Sequence, residues 1–181
     1  MNFTYEPLLQ GGVYIALSMT MNQNAWHWGL YHHRDSTAMH HPLRGNYTVH
    51  RGMKYHIRNL AHGWIADHQQ TSGLMGSMSL IGVMRIGMVP FGSNAHAALD
   101  QIARSVDTTL NTLQGVTCRV WVLHIIGFLI TSGVLRPSSP PNVGLNAVVT
   151  AVETEAHQFA QQHAPQQANH PRPIIRSRNF L

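Results

Sequence analysis

Apolar and polar positions alternate one for one from Val13 to Met21, with Val13, Ile15, Leu17, Met19 and Met21 on one side and Tyr14, Ala16, Ser18 and Thr20 on the other. A period of two belongs to a strand that buries one face. A second strand is expected over 26–32, and extended pieces over 47–50 and 53–58 flank Arg51-Gly52. Arg34 to Asn46, with Asp35, Ser36, Pro42 and Gly45, reads as a loop, and Ser79 to Ile86 as a late strand ending near Pro90. The period then lengthens. Leu99, Ile102, Ala103, Val106, Leu110 and Leu113 share one helical stripe, with Asn94 in the N-cap region and Gly115 just beyond. Cys118, Trp121, Val122, Ile125 and Leu129 form a second stripe up to Gly133, and Leu145, Val148, Val149, Val152, Ala156 and Phe159 a third. Strands followed by helices predict an α+β domain: an antiparallel sheet from the N-terminal half packed on helices from the C-terminal half. Residues 1–163 are expected to form this single globular domain, and 164–181 a flexible tail containing Pro and Arg.

Composition narrows the partners. Charged residues are only 10% of the 181, against about 25% in ordinary domains, while 44% are hydrophobic. That excludes a disordered chain. The net charge of +5 leans on Arg172, Arg176 and Arg178 in the tail, and no Lys/Arg stripe tracks a phosphate backbone. Nucleic-acid binding is therefore not expected. The longest apolar run, Val120 to Ile130, is interrupted by His124 and Gly127 and falls short of the roughly 20 residues a bilayer span needs. The first residues carry Glu6 and no basic region of the signal-peptide kind. A soluble, cytoplasmic protein is the expectation. The Val13–Met21 strand could lie at a sheet edge and pair between subunits as a homo-oligomer, or be covered by a helix.

Several chemistries are excluded by what the chain lacks. It has no GxGxxG after a strand, no GxxxxGK[ST], no HExxH and no GxSxG. Seven acids make a paired-carboxylate hydrolase or a carboxylate-rich metal site a poor fit. The 14 histidines are the anomaly. Adjacent pairs such as His32-His33 and His40-His41 point to opposite faces of a strand, so no metal ligand set is assigned and no cofactor is expected.

A geometry is more informative than that count. His27 shares a strand face with Gly29 and Tyr31, opposite Trp26, Trp28 and Leu30. His56 shares a face with Lys54 and Arg58, opposite Tyr55 and Ile57. Cys118, the single cysteine, stands at a helix start directly after Thr117, a candidate N-cap. Backbone N–H groups and the helix dipole favour a thiolate there, and a nearby imidazole would complete an activated nucleophile. The bland alternative is that Cys118 simply begins the apolar stripe of Trp121 and Val122 as a small core residue.

The order His27-Trp28-Gly29-Leu30-Tyr31, then Lys54-Tyr55-His56-Ile57, then Thr117-Cys118-Arg119-Val120-Trp121-Val122 resembles the circularly permuted papain-like fold. It is similar in particular to the thiol enzymes related to lecithin–retinol acyltransferase and to the NlpC-like hydrolases, over roughly residues 12 to 130. The same HWG…KYH…CRVW pattern is similar to a group of small, uncharacterised fungal proteins. The resemblance implies Cys118 as nucleophile, His27 as base and His56 as the group that orients or assists it. Thr117 stands where the family often has Asn, and the apolar C-terminal anchor of some relatives has no counterpart here.

The leading expectation is a cysteine-dependent acyl-transfer enzyme, a thiol hydrolase or acyltransferase. Its substrate would be a hydrophobic small molecule or acyl chain in a pocket lined by Trp26, Trp28, Tyr31 and Trp64. One rival keeps the pocket but not the thiol: a cyclase or isomerase of secondary metabolism that works by shape and hydrogen bonding. Another is a ligand-binding protein without turnover.

Overall fold

A computed structural model gives the architecture and describes residues 3–21, 25–43, 45–140, 142–166 and 171–181. The strands are β1 (Thr4–Tyr5), β2 (Gly12–Met19), β3 (Trp26–His41), β4 (Gly45–Tyr55), β5 (Ile57–Leu60), β6 (Gly63–Ala66), β7 (Gln69–Thr71), β8 (Leu80–Met88) and β9 (Ile174–Arg176). The helices α1 (Asn94–Arg104), α2 (Cys118–Thr131) and α3 (Leu145–His163) all fall in the C-terminal half. Seven strands form one sheet in the order β1-β9-β8-β2-β3-β4-β7, antiparallel except for the β8–β9 pair, and β5 and β6 form a separate hairpin. The mixed α+β class and its mostly antiparallel sheet are as the periodicities predict.

The alternation in β2 explains the layers. Val13, Ile15 and Leu17 meet Trp121, Val122, Ile125 and Leu129 of α2 and Phe159 of α3 in the main core. Tyr14 and Ala16 face the other way, onto Tyr31, Leu80, Val83 and Leu74. Both faces of β2 are thus covered, and it lies between β3 and β8. The expectation of a half-buried strand gives way to an interior one, and of the two places left open for it, a subunit-pairing edge or a strand covered by a helix, it takes the second. α2 follows the sequence closely: the Thr117 hydroxyl accepts the Val120 N–H at 3.1 Å, and Gly133 leaves the helix at φ 74°.

Two other segments differ from expectation. Most of Arg34 to Asn46 is strand and not loop, because β3 runs on to His41 and pairs with β4 from Ser36↔His50 to His41↔Gly45, with a turn at Pro42-Leu43. This arm leaves residues on both faces exposed, so no apolar alternation marks it. The helical stripe that begins at Leu99 stops at Arg104, and Asp107–Thr112 tightens into a 3-10 turn that still buries Leu110. Ser105, Asp107 and the β-branched Val106, Thr108 and Thr109 are poor helix formers, which accounts for the early stop.

The tail is the larger correction. From residue 171 it is packed, with β9 between β1 and β8 and with Ile175 and Phe180 in the core; residues 167–170 lie outside the described set. The reason is Glu155 on α3, which is 2% exposed. Its carboxylate accepts the Ser177 hydroxyl at 2.6 Å, the Asn179 amide at 2.8 Å, and both the backbone N–H and the guanidinium of Arg178 at 3.1 Å. Glu155→Ala strips this acceptor from several buried donors. It is expected to cost about 2–4 kcal/mol, the lower end because the Arg178 side chain is half exposed. A thermal melt should show Tm falling by roughly 5–15 °C; an unchanged Tm would mean the tail does not stabilise the domain.

Candidate active site

Where β4 leaves the sheet after Tyr55, one edge of β3 is left without a strand partner at Trp26 to Gly29. The first turn of α2 fills that gap. The Trp28 N–H donates to Cys118 Sγ at 3.5 Å, and Sγ lies 3.9 Å from the Trp26 carbonyl. The sulfur is therefore held by the residues immediately before and after His27. A cleft of about 1050 Å³ opens at this point, and His27, His56 and Cys118 all line it.

The two imidazoles meet directly. His27 Nε2 and His56 Nδ1 are 2.9 Å apart, with the rings near perpendicular at 83°. His56 Nε2 in turn lies 3.2 Å from Asp67 Oδ2, off the line of a hydrogen bond, so the carboxylate faces the imidazole without bonding to it. Arg58 holds the same carboxylate at 2.7 Å. The Asp67 position follows from the β5–β6 hairpin: Ile57 pairs with Ala66, and the next backbone bond runs from Asp67 N–H to the His56 carbonyl at 2.9 Å. A carboxylate 11 residues downstream across a hairpin turn at Gly63 was a signal available in the sequence but unread. The result is a row of Asp67, His56 and His27 that ends in the cleft, with a hydrogen bond between the two imidazoles alone.

Electrostatics make the resting groups neutral. Burial, and next the Lys54 charge, push the His27 pKa down to about 4. His56 is also lowered, by burial first and then by Lys54 and His27. Burial raises the Cys118 thiol above its ordinary value, although the N–H groups of Trp28, Arg119 and Cys118 itself pull the other way. The expectation of a thiolate favoured by the helix start is therefore not met at rest, because desolvation outweighs the dipole. Among the described residues, no imidazole is hydrogen-bonded to Sγ.

The remaining candidates divide. Trp26 and Trp64 are half-buried and line the cleft; Trp28 touches it but is almost wholly buried, its ring 5.3 Å from that of His157. Tyr31 does not line it. It is fully buried on the same strand face as His27, four residues along β3 and beside Tyr14, with its hydroxyl 3.0 Å from His33 Nδ1. Lys54, Arg119 and His157 line the cleft without having been assigned a role from the sequence.

Histidine clusters elsewhere have structural partners. His32 and His96 share a contact of 3.2 Å, and Ser36 bridges His33 and His50. Among the described residues, no three His, Cys, Asp or Glu side chains group in a way that could hold a metal ion. Among them also, no helix is long and apolar enough to cross a membrane. The chain matches no known family model, no curated protein and no solved structure.

Proposed function

We propose that the protein is a cysteine-dependent acyl-transfer enzyme of circularly permuted papain-like architecture, with Cys118 as nucleophile, His27 as base and His56 as the positioning group. One observation carries the reading: the single thiol stands at a helix start, clasped by the backbone on either side of a histidine that a second histidine orients from behind. His27 spends Nε2 on His56, which leaves Nδ1 as the nitrogen available for a proton. As Sγ turns from the Trp28 N–H to attack a carbonyl carbon, Nδ1 takes the S–H proton, so no thiolate need exist beforehand. The tetrahedral oxyanion falls to the N–H groups at the start of α2 and to the Trp28 N–H that Sγ has vacated. On collapse the leaving group departs with the proton from His27, and a thioester remains on Cys118. Water or an acceptor hydroxyl or amine, deprotonated by His27, then releases the acyl group.

The half-buried thiol, raised by desolvation, is the observation that favours a second reading, in which the cleft binds or isomerises an apolar ligand and Cys118 only packs. Acyl trapping separates the two. Wild-type protein mixed with 4-nitrophenyl hexanoate and quenched in acid is expected to carry one hexanoyl group, mapped by mass spectrometry to the Cys118 peptide. Iodoacetamide alkylation of the free enzyme should rise only above pH 9, the ordinary thiol value. Protein that stays unacylated while nitrophenol accumulates no faster than in buffer would sink the acyl-transfer reading.

A further inference from the structure

Lys54 is the single lysine of the chain. It sits on β4 opposite Tyr31 of β3 and lines the cleft with His27 and His56. No residue lining this cleft among those described is Asp or Glu, while Lys54, Arg58 and Arg119 all do so. The two arginines are already engaged, Arg58 by Asp67 at 2.7 Å and Arg119 by Glu153 at 3.2 Å. The Lys54 ammonium has no ion pair and no hydrogen bond with any described residue, and feels Asp67 only from a distance. A half-buried ammonium keeps its three donors satisfied with water as long as the cleft is wet. A ligand that displaces this water must bring acceptors of its own, or leave a desolvated charge unmatched.

Building on the acyl-transfer reading, we infer that the substrate carries an anionic group, a carboxylate or a phosphate, that seats on the Lys54 ammonium while its carbonyl carbon lies at Cys118. An ammonium is a compact point charge without the planar fork of arginine, so it serves either anion. Trp26 and Trp64 give apolar surface for the body of the molecule between the two ends. The substrate is thus amphiphilic, not purely hydrophobic.

Two measurements test this. The first compares 4-nitrophenyl hydrogen glutarate with 4-nitrophenyl valerate, which differ chiefly in a terminal carboxylate. Wild type is expected to prefer the glutarate in kcat/KM. The preference should shrink by about tenfold or more in Lys54→Met and return in Lys54→Arg, as for loss of one charged hydrogen bond. A preference that survives in Lys54→Met, or that is absent in wild type, overturns the inference. The second measurement works without turnover. Cys118→Ala protein is reductively methylated with ¹³C-formaldehyde, which gives one lysine side-chain signal because the chain holds one lysine. Hexanoate or hexyl phosphate should shift that signal saturably, the tighter of the two naming the anion, whereas hexan-1-ol should leave it in place. A signal that neither anion moves, or that the alcohol moves equally, rejects the site. If neither ester is turned over through Cys118 but the anions still bind, the acyl-transfer chemistry fails and the Lys54 anion site stands.

Discussion

His27→Ala is expected to lower kcat/KM for an activated ester by about 10²–10⁴-fold, the range supplied by a positioned general base. Cys118→Ala should remove the thioester altogether. The two losses should not add, because both residues serve one proton transfer. The pH profile gives the sharper readout. Burial holds the His27 pKa at about 4, well below the ordinary 6.5, so the imidazole is already in its neutral, base form across the physiological range. The rate is therefore expected to stay level from pH 8 down to pH 6, where an unperturbed imidazole would have lost more than half of its base form. An acid limb centred near 6.5 would show His27 to be solvated and would remove the basis for a base that is neutral at rest.

The same physics makes the fold acid-labile. His32 and His33 are fully buried in β3, and burial holds each at about 4 against an ordinary 6.5. The nearby His96 lowers His32 further while the Val89 carbonyl raises it; His50 lowers His33, against Asp35 and the Arg51 carbonyl, which raise it. In His32 both nitrogens are committed. Nε2–H donates to the Val89 carbonyl at 2.6 Å, which leaves Nδ1 to accept from His96 Nδ1 at 3.2 Å. A second proton on His32 would set N–H against N–H. The unfolded chain therefore takes up protons that the native state refuses. The stability these groups contribute is complete above pH 6.5 and drains away as the pH falls toward 4. At pH 5 the loss is about 2 kcal/mol for each of these two histidines, or about 4 kcal/mol from a total of roughly 5–15. Urea unfolding at pH 7 and pH 5 should show the midpoint falling sharply. Equal midpoints would mean that both imidazoles protonate freely in the folded protein.

Legibility in the sequence tracked locality. β2, α2 and α3 were readable because each carries an apolar stripe whose period is set by its own backbone. The approach of His27 to His56 was readable in part, since alternation put both on the more polar faces of extended segments, but His56 falls just past the end of β4 and its contact depends on how the chain leaves the sheet there. The β3–β4 arm was not, because a ribbon exposed on both faces needs no apolar period. Asp67 was missed because its place depends on the register of a hairpin, and Tyr31 was misplaced because the face it shares with His27 opens to the cleft only at the His27 end, while Tyr31 itself packs among Tyr14, Leu80 and Leu74. For Cys118 the sequence left two readings open, a thiolate favoured by the helix start and a small residue of the apolar stripe, and the strand packed against it decides the sign by desolvation.

The place of β9 has a consequence for how the chain is made. On the ribosome, Thr4–Tyr5 emerges early but its partner is Ile174–Arg176, which itself pairs with Val83–Arg85. While synthesis is short of residue 174, the nascent chain can close β8, β2, β3 and β4 into a sheet whose β8 edge is bare. Such an edge is a template for any passing strand. The interval between making Arg85 and making Arg176 is therefore the time during which this protein most needs a chaperone, and a stall within it would be more hazardous than one before it.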